Sequence, residues 1–215
     1  MSSKTLRLIA VAASVLLVVS AATGCSTPDD EPATASPGTP SDSDVGFSRD
    51  MAAHHAQAVD MAERIRARTA DPRLRSLATD IVLTQQAQIG RMQGWLELWG
   101  EPFTSTDPPM GWYDGATTEM DHDTGSGAMA AMPGMAGPAD LAALDSLDPA
   151  DAEVRFLELM IDHHRGGVQM AEMVLSTEPT EAVGNLAESI VVGQNAEIEL
   201  LEAMLADRTG PQERP

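Results

Sequence analysis

One cysteine, Cys25, stands in the 215 residues, and a single thiol excludes both an intramolecular disulfide framework and a metal site built from several cysteines. Positive charge is scarce too, with 13 Lys and Arg against 33 Asp and Glu and a formal charge of −20. A surface of that sign repels a phosphate backbone, which excludes nucleic acid as a partner. The apolar run from Leu8 to Val19 is too short to prefer spanning a bilayer. No Ser-His-Asp arrangement, phosphate-cradling glycine loop or nucleotide fingerprint is present. The chain is therefore expected not to be an enzyme and to use no organic cofactor.

What is there begins with a leader. Residues 1–24 combine a short basic start (Lys4, Arg7), the apolar run and small residues up to Gly24, which reads as a secretory signal peptide. Cys25 follows Ala22-Thr23-Gly24 directly. This resembles the lipobox of bacterial lipoproteins, and the resemblance implies acylation of Cys25 and an anchor on the outer side of the cytoplasmic membrane, within the cell envelope. Loss of the leader takes the formal charge to about −22, a field that concentrates cations and keeps an exported chain soluble. From Ser26 to Val45 the residues are mostly Pro, Ser, Thr, Asp and Gly. Such a stretch buries too little apolar surface to offset its ordering entropy, so residues 25–45 read as a disordered tether. Residues 207–215 read as a disordered tail.

Between these, over residues 46–206, the sequence repeats itself. Phe47, Met51, His54, His55, Val59, Met61, Ala62 and Glu63 recur 109 residues later as Phe156, Met160, His163, His164, Val168, Met170, Ala171 and Glu172. The same offset carries Leu77, Ala78, Ile81, Val82, Gln85, Ala87 and Ile89 onto Leu186, Ala187, Ile190, Val191, Gln194, Ala196 and Ile198. One offset across two segments indicates a duplicated helical hairpin. The apolar spacing is helical in each segment, as in Phe47, Met51, His54, Ala58, Met61, Ala62 and Ile65. Asp71-Pro72 and Asp148-Pro149 read as N-caps followed by proline at the first helical position, and Thr180 takes the capping place equivalent to Asp71. Helices are predicted near 46–68, 72–99, 149–176 and 180–206, giving hairpins over 46–99 and 149–206.

Short turns make each hairpin antiparallel. A helix of about 26 residues is about 39 Å long, and the roughly 50 residues from 100 to 148 can run that full length. The expected fold is all-α, a ferritin-like four-helix bundle built from two duplicated hairpins with a long crossover.

The chemistry points to the histidines. The pattern M-x-x-H-H-x-x-x-x-x-M occurs twice, giving Met51, His54, His55 and Met61, then Met160, His163, His164 and Met170. Residues three or seven apart share a helix face. Adjacent histidines diverge by about 100°, so one of each pair faces the centre, and the spacing favours His54 and His163. Imidazole with thioether is a soft donor set that suits copper, Cu(I) above all. Gln85 and Gln194 lie on otherwise apolar stripes and are candidates to orient the histidines. The crossover adds a second candidate metal site in Met110, Met120, His122, Met129, Met132 and Met135, interleaved with glycine and acidic residues such as Asp121 and Asp123.

The segments FSRDMAAHHAQAVDMAE and FLELMIDHHRGGVQMAEMV, each followed by a helix containing IVLTQQAQIGRMQGWL or IVVGQNAEIELLEAML, resemble the bacterial exported family known as domain of unknown function 305. The resemblance implies a ferritin-like bundle and, for some members, copper binding, and it assigns no activity. The expected role is an envelope lipoprotein that holds copper for buffering, delivery or resistance. A surface scaffolding module without metal and a di-metal oxidase-like ferritin relative are the alternatives.

Overall fold

The computed structural model describes residues 39–113 and 132–210. They contain α1 (Asp42–Arg68), α2 (Pro72–Trp99), α3 (Pro138–Ser146), α4 (Pro149–Leu175) and α5 (Glu181–Thr209), with no strand among the described residues. Helix α1 starts four residues before the predicted point. Ser41 and Asp44 form a reciprocal capping box that satisfies two of the first free amides, so Asp42–Val45 belong to the helix and not to the tether. Helix α5 likewise takes in residues 207–209 of the expected tail.

Asp71 caps α2 through the amide of Arg73. Asp148 and Thr180 occupy N-cap positions, but their side chains make no capping bond. The Thr180 hydroxyl is diverted to the other hairpin, where it and its backbone amide donate to Asp44 Oδ1 at 3.1 and 2.9 Å. The repeat-equivalent acid, Glu153, reaches the opposite turn, accepting from Thr69 Oγ1 at 2.6 Å and from Arg208, which also holds Asp71. One carboxylate near the start of α1 and one near the start of α4 thus latch the hairpins at both ends.

The core consists of two apolar clusters. One holds Phe47, Met51, Met92, Met170, Val174, Leu186 and Ile190; the other holds Met61, Ile65, Leu74, Ile81, Phe156, Met160 and Leu201. Their order along each helix makes α1 antiparallel to both α2 and α4, and α4 antiparallel to α5. Repeat-equivalent residues, such as Phe47 and Phe156, fall in opposite clusters. The pseudo-two-fold axis therefore crosses the bundle midway, perpendicular to the helices. Helix α2 ends beside one cluster and α4 begins beside the other, so the crossover traverses the bundle, as in ferritin-like folds.

The crossover is pinned to the bundle at each described part. Near its start, Met110 N and Trp112 Nε1 both donate to Asp50 Oδ2, at 2.7 and 2.9 Å, and Trp112 packs edge-on to Phe47 at 5.9 Å. Near its end the Gln57 side chain pairs with both backbone groups of Ala136, at 3.0 and 2.7 Å. The short helix α3, not predicted from the sequence, seats Leu144 in the second cluster. No helix among the described residues is long and apolar enough to cross a membrane.

The close approach of Pro133 and Gly134 to α4 depends on two glycines. Gly134 has φ +73°, and a Cβ at Gly166 would collide with the Pro133 carbonyl oxygen. Gly166→Ala should therefore destabilise the fold by about 1–3 kcal/mol through overpacking and speed amide exchange over 132–137. Gly94 has open space around it, so Gly94→Ala should stabilise the helix by about 0.5–1 kcal/mol. Urea unfolding of the two variants checks the opposite signs.

Candidate metal centre

Between the two apolar clusters every long helix contributes polar side chains at one level: His54 and His55 from α1, Gln85 from α2, His163 and His164 from α4, and Gln194 from α5. All four histidines are fully buried, and the glutamines are 1% and 4% exposed. The His54 and His163 rings face each other with centroids 3.8 Å apart, whereas each lies 6.4 Å from its sequence neighbour. His54 and His163 therefore occupy the centre and His55 and His164 flank it.

Each flanking histidine turns to the other helix of its own hairpin. His55 Nε2 donates to Gln88 Oε1 at 2.7 Å, and His164 Nε2 donates to Glu197 Oε2 at 2.6 Å. His54 Nε2 donates to the Pro133 carbonyl at 3.0 Å, so the crossover closes over the centre. These three bonds place a ring proton on Nε2 and leave Nδ1 without a protein partner. Nδ1 of His54, His55 and His164, both nitrogens of His163 and all four amide atoms of Gln85 and Gln194 have no protein partner although buried. Such atoms cost about 1–3 kcal/mol each when unsatisfied. This level of the bundle therefore requires partners from outside the chain, namely water or an ion.

Burial also fixes the charge. It pushes the His54 imidazolium down to about 4, against the opposing pull of the Pro133 carbonyl, and that of His55 to about 3, helped by the charge of His54. His163 is pushed well below its ordinary value by burial first and by the other three histidines next. These rings are neutral at physiological pH, the state in which imidazole binds metals.

The methionines divide by distance. Met51 and Met160 stand three residues from His54 and His163, about one turn or 4.5 Å along the axis, on opposite sides of the layer. Met61 and Met170 stand seven residues away, about 10 Å along the axis, within the aliphatic packing of the clusters. Gln85 and Gln194 share the layer, but the residues that orient the flanking histidines are Gln88 and Glu197. Both lie 33 residues after their histidine and on the 109-residue offset, a signal the sequence carries in plain view.

Of the crossover candidates, Met110 and Met132 are buried and Met135 is half-buried, all packed in one apolar cluster. They serve as core because the crossover lies against α1. Met120, His122 and Met129, with Asp121 and Asp123, lie outside the described residues, as does Cys25. Among the described residues no three His, Cys, Asp or Glu side chains converge as a ready metal cage; the flanking rings are turned to Gln88 and Glu197. Glu63 pairs with Arg66 and Glu172 is exposed, so neither supplies the carboxylates that a di-metal oxidase draws from its helices.

The family model described as domain of unknown function (DUF305) matches residues 44–205. A Streptomyces coelicolor DUF305 protein described as secreted is 41% identical in a solved structure covering 80% of this chain and 98% of that one, with a TM-score of 0.69. CopM in its Cu(II)-bound form is 28% identical over 76% of this chain and 96% of that one, with a TM-score of 0.58. Its Cu(I)-bound, Ag-bound and apo forms align at 22–24% identity and bear on the fold alone. An uncharacterised mimivirus protein, L153, is 41% identical over 54 residues, spanning 25% of this chain and only 36% of its own length.

The depressed histidines make stability depend on pH. Between the unfolded value of 6.5 and the folded values the unfolded chain holds protons that the native chain does not. Stability is then complete above about pH 6.5 and falls with pH by roughly 1 kcal/mol per unit for each such histidine. The fall continues to about pH 4 for His54 and about pH 3 for His55. Urea unfolding between pH 4.5 and 6.5 should give a smaller slope for His55→Gln than for the parent chain; equal slopes would contradict the buried neutral ring.

Proposed function

The chain belongs to the DUF305 family, and on that premise we propose that it is a non-enzymatic copper-binding protein of the cell envelope, buffering or delivering the ion. The observation that carries this reading is the His54–His163 pair, with ring centroids 3.8 Å apart, neutral, fully buried and with three of its four ring nitrogens unpartnered. A relative of the same fold, 28% identical, was solved with Cu(II) bound.

The residues fit the ion. Imidazole nitrogens with the thioethers of Met51 and Met160 one turn away form a soft set, which selects copper over Mg, Ca or Mn. Uptake requires the central rings, 3.8 Å apart, to separate enough to admit the ion between their nitrogens. Met61 and Met170 stay in the core and maintain the bundle. Copper is cargo here, and the chain's own residues bind it and shield it from water. The leader and Cys25 support an anchor on the outer side of the cytoplasmic membrane, with residues 25–41 as the tether.

Titration of the purified chain with Cu(I) under anaerobic conditions tests the reading. A single tight site or pair of sites should appear, and at an excess of 100-fold over Kd the ion should add roughly 3 kcal/mol to stability, reversed by a chelator. The double variant His54→Gln/His163→Gln should lose both the tight binding and the stabilisation. Parent-like affinity in that variant would place copper elsewhere and end the proposal.

A further inference from the structure

The duplicated centre is symmetric in the residues that fill it and asymmetric in those that hold it. His54, His55 and Gln85 repeat as His163, His164 and Gln194, but Gln88 repeats as Glu197. The neutral amide holds His55 at 2.7 Å and the carboxylate holds His164 at 2.6 Å. The crossover adds a second inequality, since Pro133 engages His54 Nε2 while both nitrogens of His163 have no protein partner. Resting on the copper reading above, we propose that the two halves are not equivalent: the α4–α5 half, His163 and His164, accepts copper first, and Glu197 is the positioning residue that sets this preference.

The argument is electrostatic. Both partners accept the Nε2 proton and leave Nδ1 without a protein partner. Only the carboxylate makes the bond charge-assisted, and a carboxylate behind a ligating histidine raises its donor strength. Bringing a cation to a level with no solvent exposure costs desolvation energy, which a nearby negative charge offsets and a neutral amide does not. Glu197 is suited to this, because its side chain is 23% exposed while the imidazole it holds is fully buried; its charge stays hydrated at one end and acts on the layer at the other. The preference should be stronger for Cu(II) than for Cu(I), because the offset grows with the charge of the ion.

Three isosteric variants of the full chain test this: Glu197→Gln, Gln88→Glu and the swap Gln88→Glu/Glu197→Gln. In the parent, the first equivalent of Cu(II) should broaden the His164 imidazole resonances before those of His55 in long-range 1H–15N spectra. Glu197→Gln should weaken that first equivalent about 10- to 100-fold with unchanged circular dichroism, and weaken Cu(I) less. The swap should restore the affinity and move the first broadening to His55, an exchange that a merely structural glutamate would not produce. If Glu197→Gln leaves the affinity unchanged, or if the swap leaves the first broadening on His164, the inference is wrong while the copper reading stands. A parent chain that takes up no copper overturns both.

Discussion

A full cross-section of this bundle is made of side chains that water would otherwise solvate. Four histidines and two glutamines, each at most 4% exposed, meet at one level, and most of their polar atoms find no protein partner. A bundle of this length could fill the level with leucine and gain stability, since a half-satisfied polar layer is worse than an apolar one. The clusters on either side supply the offset, with Phe47, Met51 and Leu186 below and Phe156, Met160 and Ile81 above in the sense of α1. Carboxylates Asp44 and Glu153 lock the hairpins at the two ends. The rest of the fold can be understood as what must be rigid for six buried polar side chains to remain together.

Duplication explains how such a layer arises with few requirements. One hairpin needs to place His-His on its first helix and glutamine on its second; antiparallel pairing with a copy brings the four helices into register about an axis through that level. The crossover then removes the equivalence. It passes one side only, pairs with Gln57 through the backbone of Ala136 and gives His54 a carbonyl partner that His163 lacks. Asymmetry in the centre thus comes from two sources, chain topology and the Gln88/Glu197 difference.

Much of this was readable in the sequence because periodicity and a constant offset are one-dimensional signals. The apolar stripes gave four helices to within a few residues, and the offset of 109 implied the two-fold arrangement. The 100° divergence of adjacent histidines put one of each pair inside, and the spacing favoured His54 and His163 without excluding His55. What escaped was decided between helices. Thr180 resembled a cap, but its hydroxyl donates to Asp44 of the opposing hairpin and accepts no amide of α5. Gln85 and Gln194 looked like the orienting amides, yet the bonds to His55 and His164 come from residues one turn later on the same helices. Met110 and Met132 read as candidate metal ligands of a glycine-rich crossover, whereas that segment lies against the bundle and buries them. Sequence spacing assigns a face of a helix; it does not say which neighbour that face meets.

Burial has two opposed effects on a metal-holding centre. It keeps imidazole unprotonated, with His54 down to about 4, so protons compete weakly for the lone pairs that a metal needs. It also penalises any cation that leaves water for the layer, and the penalty rises steeply with charge. On the copper reading, a monovalent soft ion would bear the smaller penalty and gain the thioether donors of Met51 and Met160; a divalent ion would need compensation, which among the residues bonded to the histidines only Glu197 supplies. Low proton competition combined with a charge-dependent entry cost makes selectivity a property of the buried layer as a whole. On the copper reading, the chain would discriminate among ions without a preformed cage of carboxylates or thiolates.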